Sequence, residues 1–164
     1  ILVDKYKSRA YYAALIYTGN REEALDLSQE AFYRAYQAIK KFKQGKNFYT
    51  WLYQILRNLC INYYHRTKKR SVVFTDVEEQ SSNQIYLSPA AKPDEIFEEN
   101  EMREVLWSAL SKLKEEDREI IILKEYQEFS YKALAEILNI PAGSVMSRLF
   151  YARQKLAKLL EGLI

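Results

Sequence analysis

The sequence predicts an all-α protein: two small helical domains joined by a flexible linker, the second a helix-turn-helix module of four helices, winged-helix-like in outline. Three observations carry that expectation. Gly occurs four times and Pro three times in 164 residues, which favours long helices over the turn-rich chains of sandwiches and barrels. Apolar residues recur at three- and four-residue spacing, and no segment reads as a strand. From 71 to 93 the periodicity stops, and Ser81, Ser82, Asn83, Ser88, Pro89 and Pro93 collect there. A stretch that long is uncommon as a connection inside one compact domain. The chain therefore divides into a domain over 1–70, a linker over 71–93 and a domain over 94–164.

The first element, over 1–17, sets Leu2, Tyr6, Ala10, Ala13, Ala14 and Tyr17 at near-helical spacing and ends at Thr18 and Gly19. Asn20 followed by Glu23 reads as a capping-box start. The second helix turns Ala24, Leu27, Ala31, Ala35 and Ile39 to one face and runs to about Phe42. Lys43, Gln44, Gly45, Lys46 and Asn47 then break the pattern as a basic loop. From Phe48 a third helix has Leu52, Ile55, Leu56, Leu59 and Tyr63 as its buried stripe and frays over 66–70. Asp94 restarts a helix through Ile96, Met102, Leu106, Leu110 and Leu113, and another covers about 115–126. Ser130 caps a short helix over 131–138, Asn139, Ile140 and Pro141 turn the chain, and the last helix spans about 142–160.

The last two helices and their tight turn form a helix-turn-helix outline. Ala135 is small enough for the second helix to cross closely. Val145, Leu149, Ala152 and Leu156 recur at four, three and four residues and so face inward. Ser144, Ser147, Arg148 and Tyr151 are thereby turned outward, with Met146 and Phe150 on the flanks. Ser and Arg at the start of such a helix suit base edges and phosphates. The same outline also fits a module that packs only against protein.

Charge sharpens the choice. The net of +3 hides 14 Lys/Arg against 5 Asp/Glu over 1–70, 4 against 11 over 71–116, and 7 against 6 over 117–164. From Ala31 to Thr75 there are ten Lys/Arg and no acid. So lopsided a field usually meets a polyanion; the bland alternative is a solvated basic face. Aromatics interleave with the block: Phe42, Phe48, Tyr49, Trp51, Tyr53, Tyr63 and Tyr64. Most of them are core, although Trp51 and Tyr53 cannot both face inward. The basic loop and its aromatic rim can hold an unstacked base while neutralising its phosphate. Asn58 and Asn62, one turn apart, can offer donors and acceptors to a base edge. Asp26, Gln29 and Glu30 form an acidic-polar patch better suited to a basic protein partner.

Other classes find little support. One His and one Cys leave no zinc site and no disulfide framework, and the second fact suits a cytoplasmic address. No Ser/His/Asp, metal or phosphate-loop arrangement supports an enzyme or a small-molecule substrate, and no cofactor is called for. His65 reads as a solvated or phosphate-facing residue at a helix end, and Cys60 as a buried structural thiol rather than a redox sensor. No run nears the ~18 apolar residues of a bilayer span. Ile1 at the start reads as a trimmed N-terminus.

Several stretches together resemble a bacterial extracytoplasmic-function sigma factor of the sigma-70 family. In the first domain they are residues 26–32, from Asp26 to Phe32, and 48–58, from Phe48 to Asn58. In the second they are Leu113 with Arg118, then Phe129, Ser130 and Tyr131, Ile140 to Val145, Ser147, Arg148 and Leu149, Ala152 with Arg153, and Leu156. The resemblance implies that Asp26, Gln29, Glu30 and Arg34 dock on the clamp helices of core RNA polymerase. It implies that Phe42, Lys43, Gln44, Gly45, Lys46, Asn47, Phe48 and Trp51 form the pocket for a flipped base of the minus-ten element, with Asn58 and Asn62 near its upstream bases. Ser130, Tyr131, Ser144, Met146, Ser147, Arg148, Phe150 and Tyr151 then fall where that family meets the minus-thirty-five element. Met146 and Tyr151 depart from the pattern, since the family often has cations there. The implied partners are core polymerase, promoter DNA and an anti-sigma factor, commonly membrane-anchored. A promoter-binding repressor with the same helix-turn-helix is the rival reading, and the tandem of two modules argues against it.

Overall fold

Three helices build the first unit of the computed structural model, which describes residues 1–74 and 101–163. They are α1 (Leu2–Thr18), α2 (Arg21–Gln37) and α3 (Phe48–Phe74), with a 3₁₀ turn at Ile39–Lys41. α1 stops at Gly19, whose φ of 64° is the left-handed conformation that glycine adopts without strain; its N–H donates to the Leu15 carbonyl. Asn20 then caps α2, its Oδ1 accepting the Glu23 N–H at 3.1 Å, as the capping pattern predicts. All three helices pack on one another. Ala10, Ala14, Ala24 and Ala31 are fully buried, so the backbones approach closely, and α3 fills the remaining space with Tyr49, Leu52, Tyr53 and Leu56. The buried Tyr53 hydroxyl donates to that of Tyr17 at 3.4 Å.

Several expectations shift. α2 ends at Gln37 rather than near Phe42, because the Lys41 and Phe42 N–H groups turn back to Ala38 and Ile39 and tighten the chain. That rotation leaves Ile39 exposed instead of inward. Leu2, in the first turn of α1, is also exposed. α3 runs on to Phe74. Its buried face is Tyr49, Leu52, Tyr53, Leu56, Leu59, Cys60 and Tyr64, while Ile55 and Tyr63 are half-buried. Both α1 and α2 cover this helix, so its buried sector is wider than one stripe and is centred differently.

The second unit begins at Asp94. It contains α4 (Glu101–Lys112), α5 (Glu115–Ile121), α6 (Tyr131–Leu138) and α7 (Ala142–Glu161). α7 packs against each of the other three, burying Val145, Leu149 and Ala152 among Ala109, Leu110, Ile120, Leu123 and Leu134. Met102 and Leu106 are exposed, contrary to the stripe read for α4; its core contribution comes from Ala109, Leu110 and, just beyond it, Leu113. α5 continues into a π-helical turn, Ile122–Tyr126, in which the Gln127 N–H donates to the Ile122 carbonyl. Glu128 follows in the left-handed region at φ 57°, and Phe129 drops into the core. Ser130 is thereby set to cap α6, its Oγ accepting the Ala133 N–H at 3.1 Å. Asn139 closes α6 at φ 52°, one of the few non-glycine types at ease there. Ion pairs Glu125–Arg153 and Asp117–Lys155 fasten α7.

Among the described residues there is no strand, and no helix is long and apolar enough to cross a membrane. The linker from residue 75 onward and the start of the helix read at Asp94 and Ile96 lie outside them.

Cys60 lies in the first core at 1 % exposure, and burial pushes its thiol up to about 12 from the usual 9.0. The folded protein should resist iodoacetamide at pH 8 and react once unfolded in urea. Because the unfolded thiol ionises first, the stabilisation from this group is complete below about pH 9. It declines as pH rises through the window up to about 12, and chemical denaturation across that range measures it.

Candidate nucleic-acid interface

The basic loop takes its shape from two local constraints. Gly45 adopts φ 88°, with open space around it, and the Lys46 N–H turns back to the Lys43 carbonyl at 3.3 Å. Asn47 then starts α3: its Oδ1 accepts the Thr50 N–H at 3.0 Å and the Thr50 hydroxyl at 3.4 Å. Lys43, Gln44, Gly45, Lys46 and Asn47 are all exposed.

Behind the loop Phe42, Phe48 and Trp51 stack into one cluster, with ring centroids 5.1 to 5.9 Å apart. Tyr6 of α1 extends it at 5.8 Å from Phe48 and 5.1 Å from Tyr49. Arg9 lies over the Tyr49 ring at 4.0 Å. The three rim aromatics are each half-buried and so present ring edges beside the cations. Trp51 is in the rim and Tyr53 is in the core, the split that their spacing predicts.

Asn58 and Asn62 are both exposed on α3. Asn62 also lines an open groove with Arg34, Leu59, His65 and Arg66, which sequence reading kept apart. On α2, Asp26 and Gln29 are exposed and Glu30 half-buried, and Glu30 pairs with Arg34 at 2.7 Å. Sequence reading missed their neighbours: Leu25, Tyr33 and Tyr36 are 48, 57 and 77 % exposed. The signal was available, since these apolar residues, eight and three residues apart, fall about 100–180° around the helix from Ala24 and so away from the buried face of Ala24, Ala31 and Ala35.

In the second unit α7 presents Met146, Ser147, Arg148, Phe150 and Tyr151 to solvent, with Ser144 half-buried. The Phe150 and Tyr151 rings meet edge-on at 5.4 Å, and the Ser147 hydroxyl donates to the Ser144 carbonyl at 3.2 Å. Arg153 and Lys155 are committed to Glu125 and Asp117, whereas no ion pair of Arg148 occurs among the described residues. Tyr131 is exposed beside Ser130, with the Lys124 ammonium 4.9 Å from its ring and donating to the Phe129 carbonyl. The arrangement offers stacking surface, cations and hydroxyls, the groups that hold nucleic acid.

Comparison with known proteins bears on the same two units. A family model described as Sigma-70 region 2 matches residues 2–70, and one described as Sigma-70, region 4 matches residues 103–156. The ECF RNA polymerase sigma factor SigW of Bacillus subtilis is 34% identical over 99% of this chain and 88% of its own length. The RNA polymerase sigma-H factor of Pseudomonas aeruginosa is 30% identical over 100% of this chain and 86% of its own. Among solved structures, the sigma factor RpoE in complex with the anti-sigma factor NepR from Bartonella quintana has a TM-score of 0.70 and 27% identity. That match covers 97% of this chain and 94% of the other.

The double duty of Asn47, capping α3 while standing in the candidate base pocket, can be split. Asn47→Ala should lower the stability of the fold by about 1 kcal/mol, whereas Asn47→Asp keeps the cap and the stability. Thermal denaturation reads the cap. Binding of a single-stranded minus-ten oligonucleotide to the polymerase complex reads the pocket, where Asp, carrying a charge against phosphate, should still be impaired.

Proposed function

The chain belongs to the extracytoplasmic-function sigma factors of the sigma-70 family and directs RNA polymerase to promoters; from that premise we propose how its residues divide the work. The observation that supports the reading best is the match of regions 2 and 4, in order, to the two units of the fold. The family consists of transcription initiation factors rather than catalysts.

In this reading Asp26, Gln29, Glu30 and Arg34, with exposed Leu25, Tyr33 and Tyr36 around them, dock on the clamp helices of core polymerase. The mixture of aromatic and charged side chains is that of a protein interface. The loop over 42–48 with Trp51 captures a base flipped from the minus-ten element, Asn58 and Asn62 meet the bases upstream of it, and the capture helps to melt the duplex. α7 enters the major groove at the minus-thirty-five element with Ser144, Met146, Ser147, Arg148, Phe150 and Tyr151, while Ser130 and Tyr131 meet the backbone. The protein then works in the cytoplasm, where polymerase is. An anti-sigma factor, membrane-anchored in the commoner family arrangement, covers the apolar face of α2 when the protein is held inactive. Run-off transcription decides between this reading and a repressor. A sigma factor makes core polymerase initiate at a cognate promoter, and a repressor inhibits the holoenzyme.

Replacing Asp26 and Glu30 by Ala should weaken binding to core polymerase while the contacts of the assembled holoenzyme to promoter DNA stay unchanged; equilibrium titration of each partner separates the two. Loss of DNA affinity alone would reverse the assigned faces.

Arg148 has no cation at 146 or 151 beside it, and we assign it a phosphate, leaving Ser147 and Phe150 to read bases. Arg148→Ala should then weaken holoenzyme binding to all upstream sequences alike and lower the salt slope by roughly one unit. Selectivity lost at one base pair, at a cost of ~1–3 kcal/mol there, would mean that Arg148 reads a base instead.

A further inference from the structure

Where α5 runs out, the π-helical turn Ile122–Tyr126 carries two charged side chains whose partners lie on different elements. The Lys124 ammonium donates to the Phe129 carbonyl at 3.2 Å and stands 4.9 Å from the centre of the Tyr131 ring. Glu125 reaches the other way and accepts from both Nε and a terminal nitrogen of Arg153 on α7. Arg153 in turn faces Tyr131: the Glu125 carboxylate first, and the Tyr131 hydroxyl in smaller measure, hold its guanidinium above the usual arginine range. Tyr131 is thus gripped from two sides and still 41 % exposed.

We propose that Lys124 is a positioning residue for the upstream DNA contact: it holds the residues on both sides of the Ser130 cap, so that the Tyr131 hydroxyl meets a backbone phosphate in an orientation fixed before binding. The inference rests on the function proposed above, which gives Tyr131 the DNA backbone, and extends it to a residue that touches no DNA itself.

The ammonium is already engaged. A lysine that serves a phosphate keeps its head in water, as exposed Lys132 and Arg148 do, whereas Lys124 is half-buried and turned to a carbonyl and a ring face. A cation beside a ring is drawn to its face by the ring quadrupole, which favours one orientation of the tyrosine. Without that grip an exposed tyrosine turns about χ1, and the cost of ordering it falls on the binding step. The grip moves that ordering into folding. Backbone geometry serves the same end. The Gln127 N–H donates to the Ile122 carbonyl at 3.0 Å, the Phe129 N–H to that of Leu123 at 3.2 Å, and Glu128 between them takes a φ of 57°. An i→i+5 turn holds one residue more than an α turn, and such turns gather at functional sites. Here its two charged residues are the ones that reach the start of α6 and the flank of α7.

The test uses holoenzyme assembled with core polymerase, comparing wild type with Lys124→Met, Lys124→Arg, Tyr131→Phe and the double variant Lys124→Met/Tyr131→Phe. Met keeps the apolar stem and removes the charge, while Arg keeps a cation and a donor. On duplex spanning both promoter elements, Lys124→Met should weaken binding about two- to tenfold, the worth of ordering one side chain, and Lys124→Arg should restore it. The slope of log affinity against log salt should stay as in wild type, because no phosphate loses a cation. In Tyr131→Phe the hydroxyl is gone, so adding Lys124→Met should change nothing further. Every loss should vanish on a template that ends between the two elements. Full affinity in Lys124→Met overturns the proposal. So does an equal loss in the Tyr131→Phe background or on the shortened template, which would make Lys124 a general support of the unit. A slope reduced by about 0.9 overturns it too, since the ammonium would then sit on a phosphate. Wild-type holoenzyme that binds the shortened template as tightly as the full one strikes the function assigned to the second unit, whereas upstream dependence with no effect of Lys124→Met strikes the positioning role alone.

Discussion

Everything in the first unit depends on three helices approaching one another through alanine. Ala10, Ala13, Ala14, Ala24, Ala31 and Ala35 are all 2 % exposed or less and sit where α1, α2 and α3 meet. Small side chains bring backbones close but bury little area each, so much of the apolar burial comes from α3, through Tyr49, Leu52, Tyr53 and Leu56, with Leu15, Ile16 and Tyr17 of α1 and Leu27 of α2 adding to it. An added methylene at Ala24 or Ala31 would have nowhere to go without pushing a helix outward. The contact therefore fixes more than stability. It fixes how far the cations of α3 stand from the carboxylates of α2, and it makes the groove at Arg34 and Arg66 a property of helix packing.

That packing explains how charge can be so segregated without undoing the fold. Among the described residues of the first unit no charged side chain is buried, so four of its five acids can lie on α2 while the chain from Ala31 to Thr75 carries cations alone. Like charges on one surface repel, and in water that repulsion is weak and screened within about 10 Å at ordinary salt. The second unit is built the other way. Its 10 Lys/Arg stand against 14 Asp/Glu from Asp94 to Ile164, a net of −4, and Arg153 and Lys155 are spent on Glu125 and Asp117 to hold α7 in place. The first unit keeps a field for a polyanion, and the second keeps a shape.

What the sequence made legible follows the range of each interaction. Caps at Asn20 and Ser130 are contacts between residues three apart, and both form where the pattern puts them. Helix faces were legible in period but not in extent. Met102 and Leu106 continue the stripe of α4 yet remain in solvent, because a period says which residues share a face and not how far a neighbour covers it. The π-helical turn was invisible, since it follows from where Gln127 and Phe129 must go in the core. The loop, the Asn pair and the outer face of α7 could be named from residue types and from family resemblance. The groove could not, for it joins Arg34 to residues a whole helix further along.

The aromatic cluster constrains how the minus-ten pocket can work. Phe42, Phe48 and Trp51 already satisfy one another at 5.1 to 5.9 Å, contacts worth about 0.5–1.5 kcal/mol each beyond burial. On the proposed assignment an incoming base replaces part of that stacking with its own, worth about 1–3 kcal/mol. The exchange is close to neutral, and unstacking the base from its duplex adds a few kcal/mol against it. The loop alone therefore cannot open a promoter. On the same assignment, melting needs affinity collected elsewhere, from polymerase on α2 and the upstream element on α7. The cluster then acts as a trap that holds a base once it has left the helix, and the cations of the loop decide how long it stays.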